Sequence, residues 1–139
     1  MSASFQEKST WIKLAAMVAC MGLYFVIAVQ MLTNGVRDFG AFGLIFMQMT
    51  VLMVVVLAAG HGVVAALGRQ EAPDERDRLI SCKANHRSSW VLAVGVCCGL
   101  AGLALSVDAV WVAHGLLLSL VLAEVLHDIL RLVSFRRGV

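Results

Sequence analysis

Four uninterrupted apolar runs constrain this chain more than any motif in it. A helix rises 1.5 Å per residue, so about 20 mostly apolar residues cross the ~30 Å hydrocarbon core of a bilayer. Runs of that kind occupy about residues 11–33, 40–67, 88–107 and 109–133. Barrel strands would instead alternate in and out over segments of roughly ten residues. Lipid offers no water to backbone N–H and C=O groups, so a continuous apolar run has to satisfy them internally, as a helix does. Composition agrees. Hydrophobic residues make up 60% and charged residues 14% of the 139, where soluble domains hold about 45–50% and about 25%. The expected fold is all-α: a polytopic membrane protein whose single domain, residues 1–139, packs four transmembrane helices as an antiparallel bundle.

The connections are uneven. Asn34-Gly35 opens a short turn between the first two runs, and little more than Ser106–Asp108 separates the last two. The cytoplasmic loop 69–87 is the one sizeable polar segment. Within it Asp74 can cap a helix, and Glu75 and Asp77 suit the positive end of a helix dipole. No breaker follows before Trp90, which predicts one continuous helix from about 75 to 106, about 48 Å long. Being longer than the bilayer core, the third helix is expected to extend into the cytoplasm.

Orientation follows from lysine and arginine, which favour the cytoplasmic side. Of the 11, only Arg37 falls on one side. Lys8, Lys13, Arg69, Arg76, Arg78, Lys83, Arg87, Arg131, Arg136 and Arg137 fall on the other. Both termini are therefore expected in the cytoplasm, with the protein in a bacterial inner membrane. Trp11, Trp90 and Trp111 mark the ends of spans, where interfacial tryptophans belong. The first run is too long for a signal-peptide core and reads as a retained span. A net charge of +2 without a basic stripe argues against nucleic acid as a partner.

The ionisable residues inside the spans are few. Glu124, His127, Asp128 and Arg131 share one helical stripe. Glu124-x-x-His127 has the form used in di-metal bundles, but such sites need a second copy and two further glutamates, which the spans lack. Counted from Ala109, Glu124 lies fifteen residues in, about 22 Å along the axis and short of the interface. Asp128 and Arg131 fall at or beyond the edge, where a helix surfaces into water. Glu124, His127, His61 and Gln48 form the candidate intramembrane polar site, with Glu124 expected to face the interior. His61 and His127 lie at one depth, the arrangement a haem or a single metal would use. Cys20, Cys97 and Cys98 sit in apolar runs and suit packing better than disulfides. Gly95-x-x-x-Gly99 offers close helix approach, within the bundle or in a homodimer. No catalytic triad or nucleotide loop occurs, so neither enzymatic activity nor a bound cofactor is expected.

Three segments, "FQEKSTWIKL", "DERDRLISCKANHRSSWVLAVGV" and "LAEVLHDILRLVSFRRGV", together resemble a group of small four-span bacterial inner-membrane proteins of unknown function. Asp74–Asp77, Ala123-Glu124 and Arg136-Arg137-Gly138 carry the resemblance, which covers most of the chain. The group carries Glu at the level of Ser81 and Cys82 and a Tyr near Phe135, where this chain differs. The resemblance implies the topology above and weight on the acidic cluster and Glu124. It implies no activity.

The expected function is thus non-catalytic. Asp74, Glu75, Asp77, Arg136 and Arg137 would form a cytoplasmic docking face for a protein partner or anionic lipid. The alternatives are a small proton-coupled transporter using Glu124, and a haem or metal protein using His61 and His127.

Overall fold

The computed structural model describes residues 5–67 and 75–137. They form four α-helices: α1 (Phe5–Thr33), α2 (Phe39–Leu67), α3 (Glu75–Ala104) and α4 (Ala109–Arg137). All four are long and apolar enough to cross a membrane. They overrun the apolar segments at their charged ends. α1 starts at Phe5 rather than Trp11, with Glu7 in its first turn, and α4 continues through the basic residues to Arg137. Both charges suit the helix end that carries them, positive at the start and negative at the finish. α3 begins at Glu75 and ends at Ala104, slightly before the expected 106, because Ser106 takes a left-handed conformation (φ 59°).

The chain divides into two compact units, Met1–Glu71 and Ala72–Val139. In the first, α1 packs on α2, and Asn34-Gly35 makes the turn the sequence predicts. Gly35 adopts φ 83°. Its N–H bonds Leu32 O at 3.1 Å, and the Val36 N–H bonds Met31 O at 3.0 Å. That pair of bonds is the Schellman closure, which glycine reaches without steric cost. Asp38 then caps α2, its two carboxylate oxygens accepting from the N–H groups of Gly40 (3.0 Å) and Ala41 (3.2 Å). The helices run antiparallel: Ser9 meets His61 across the pair, and Tyr24 meets Phe46 edge-on at 5.6 Å.

The second unit repeats this construction with α3 and α4. Ser106 stands where Gly35 stands, the Val107 N–H bonds Gly102 O at 2.9 Å, and the Ser106 N–H bonds Leu103 O at 3.0 Å. A left-handed serine costs about 1–2 kcal/mol that glycine would avoid. Asp108 caps α4 through the Val110 N–H at 3.0 Å. The seam between the helices is made of glycines. Gly95 faces Ser119, Gly99 faces Leu116 and Gly102 faces Val112, so the pair is antiparallel. A Cβ on Gly95 would overlap the Ser119 side chain, and one on Gly99 would lie 2.8 Å from Leu116 Cδ2. The Gly95-x-x-x-Gly99 seam is therefore filled by α4.

The surface explains the composition. On α2, Leu44, Met47, Val51, Val54 and Val55 are all more than half exposed along one face, and the exposed Leu52, Val56 and Val63 widen that apolar surface to about 200° around the helix. A helix apolar all round has no water-facing side. Soluble monomers rarely expose contiguous apolar patches beyond a few hundred Å². Trp11, Trp90 and Trp111 are exposed at the span ends.

Candidate functional site

The polar stripe on α4 is built by helical spacing. Residues three and four apart lie one above another, which aligns Glu124, His127, Asp128 and Arg131. Ser119 precedes Asp128 by nine residues, and at about 100° per residue that places them about 180° apart around α4. Ser119 is the residue against Gly95 of α3. The stripe is therefore on the opposite side of α4 from the glycine seam, and it shares its azimuth with Val110 and Leu132, both buried.

Asp128 has no exposed surface at all and is the largest side chain buried to that degree among the described residues. This corrects the expectation from depth, which placed Asp128 where the helix surfaces into water. Depth gives position along the axis only. Rotation about the axis decides what a side chain faces, and Asp128 lies at the azimuth of buried residues. Glu124, expected to be the enclosed acid, is half-buried, as are His127 and Arg131. Glu124, His127 and Asp128 each take part in at least one specific interaction. The Arg131 guanidinium carbon lies 5.8 Å from the centroid of the Phe135 ring, one turn along. Such a contact is worth about 0.5–1 kcal/mol where exposed and more where desolvated. The Arg131 Nε is buried with no hydrogen-bond acceptor.

The remaining candidates are placed differently. His61, on α2, uses both ring nitrogens inside the first unit: Nδ1 lies 2.8 Å from Leu57 O and Nε2 lies 2.8 Å from Ser9 Oγ. The carbonyl can only accept, so Nδ1 carries the proton and Nε2 accepts from the serine hydroxyl. An imidazole held this way must give up the serine before it can ligate a metal. His114 makes the same backbone contact, with Nδ1 2.7 Å from Val110 O. Gln48 is exposed on α2. Cys20 is buried, while Cys82, Cys97 and Cys98 are exposed free thiols. Among the described residues, no three His, Cys, Asp or Glu side chains come together as a metal site.

On the candidate docking face, Glu75 and Arg136 are exposed and Asp77 is half-buried, and each is engaged by at least one specific interaction. Asp74 and the Arg137 side chain lie outside the described residues. Comparison with family models, curated proteins and solved structures finds no match for this chain. What the site can do chemically therefore rests on its own residues: an enclosed carboxylate, a second acid one turn away, an imidazole and a guanidinium on one helix face.

Proposed function

We propose that this is a non-catalytic inner-membrane protein that acts through its cytoplasmic face, as a docking or accessory component. The supporting observation is the length and charge of α3. Its 30 residues extend about 45 Å, against a hydrocarbon core of about 30 Å. With Ala104 at the outer boundary, about 15 Å of helix projects past the inner one. That stretch carries Glu75, Arg76, Asp77, Arg78 and Lys83, a mixed-charge surface a partner can read by complementarity. The ten-to-one division of basic residues supports placing this end in the cytoplasm. Reversing Glu75 and Asp77 to lysine in the tagged full chain is expected to remove a protein that co-purifies in mild detergent, while yield and helicity stay unchanged. Identical co-purification from parent and variant would count against docking through this helix.

A second reading is favoured by the enclosed Asp128. Ionisable side chains within spans are candidates for proton or ion pathways. A proton-coupled carrier would use Glu124 and Asp128, which are four residues apart on one face. Proteoliposomes carrying an internal pH dye separate the two functions. A carrier loses its proton flux on Glu124→Gln or Asp128→Asn, whereas a docking protein shows no protein-dependent flux to lose.

A further inference from the structure

The second unit contains a cavity of about 310 Å³ between α3 and α4, flanking the Arg131 end of the stripe described above. Ile80, Ala84 and Leu130 supply its apolar wall, while Lys83, Arg87 and Ser134 supply two cations and a hydroxyl. Lys83 and Arg87 are one turn apart and exposed, and neither they nor Ser134 is engaged by an acid among the described residues. A cavity with two uncommitted cations beside an apolar wall fits an amphiphilic anion.

Its level along the helices sharpens this. A 30 Å core is about 20 residues of helix. Counted inward from Ala104, the core on α3 ends near Asn85, between Lys83 and Arg87. Counted from Ala109, it ends on α4 near Ile129, next to Leu130 and about one and a half turns before Ser134. With the turn between α3 and α4 at the outer boundary, both counts put the cavity where headgroups meet acyl chains. Trp90, exposed one turn deeper on α3, is the side chain expected at that boundary.

We infer that this cavity is a binding site for the headgroup of an anionic phospholipid of the cytoplasmic leaflet. Lys83 and Arg87 hold the phosphate, Ser134 donates to it, and the acyl chains run down the exposed apolar surface of the same α3 face, past Trp90 and Val94. The site rests on the four helices being membrane spans with α3 projecting inward, and it gives the proposed cytoplasmic face a defined ligand.

Native mass spectrometry of the delipidated full chain, titrated with phosphatidylglycerol or phosphatidylcholine in detergent, tests this. Each basic side chain near a membrane surface contributes roughly fivefold, so the preference for phosphatidylglycerol is expected to be about 25-fold. The Lys83→Ala/Arg87→Ala double variant is expected to lose it. Arg76→Ala/Arg78→Ala, which removes the same charge from the same helix outside the cavity, is expected to keep it. Equal losses in the two double variants would overturn the site in favour of net charge alone. Displacement of the lipid by millimolar inorganic phosphate would overturn the lipid in favour of a free anion. Flotation with neutral phosphatidylcholine vesicles distinguishes the underlying premise. A chain that does not float defeats the membrane reading itself, while one that floats without a phosphatidylglycerol preference defeats only the site. Unchanged helicity and melting of the variants in detergent confirm that they fold.

Discussion

Gly95→Leu is expected to lower the melting temperature of the protein in detergent by about 10 °C. At Gly95 the α3 backbone lies directly against Ser119, and even a first side-chain carbon would overlap Ser119 Cβ and Oγ. Ser119 cannot turn aside, because its Cβ is fixed to the α4 backbone. Its hydroxyl is also held, donating to Leu116 O at 2.7 Å. The helices must separate, and Gly99 and Gly102 lose their contacts along with Gly95. Overpacking of this kind costs about 1–3 kcal/mol, and the upper end corresponds to roughly 10 °C for a chain of this size. Ser119→Gly in the same chain should restore much of the loss, and a double-mutant cycle gives the coupling. A Gly95→Leu protein that melts with the parent would mean the two helices are not in contact there.

The second large effect is expected at Asp128. Removing one member of a buried polar interaction strands the other, which costs about 1–3 kcal/mol for neutral partners and 3–5 kcal/mol for ionic ones. Asp128→Ala should therefore destabilise the protein by about 3 kcal/mol. Glu124→Ala, at a half-buried position, should cost about 1 kcal/mol or less, since a partly solvated partner recovers water. Asp128→Asn keeps the volume and one carbonyl oxygen and should fall between them. The order of the three melting temperatures is the informative result. If Glu124→Ala is the more damaging, Glu124 and not Asp128 is the buried acid of this helix.

The two acids also show what the sequence can and cannot convey here. The four helices, the turn after α1 and the start of α3 are legible because they depend on local chemistry. Asn34-Gly35 makes its turn, and α3 starts at Glu75 and runs unbroken through the polar segment into the span. The left-handed Ser106 was not legible, since serine carries no such preference and the short connection alone selects it. The rotation of each helix was the harder loss. In a soluble protein, polar residues mark the outward face. In α2 almost every face is apolar, so periodicity carries no phase. On α4 the phase has to come from a few polar side chains, and depth counting ignores it. That is why Asp128 read as surfacing while its carboxylate is enclosed. The apposition of Lys83 and Arg87 with Ser134 likewise needs the pairing of α3 with α4, which no local signal contains.

The division into two helix pairs also bears on how such a chain is made. Every helix finds its packing partner in its immediate neighbour along the chain, α1 with α2 and α3 with α4. Contacts that local form early, and an N-terminal unit can complete its own while the remainder is still being translated. The Ser9–His61 contact lies wholly within the first unit, and the Gly95–Ser119 contact wholly within the second. Each pairing is therefore written within one half of the chain, before or after the boundary between residues 71 and 72.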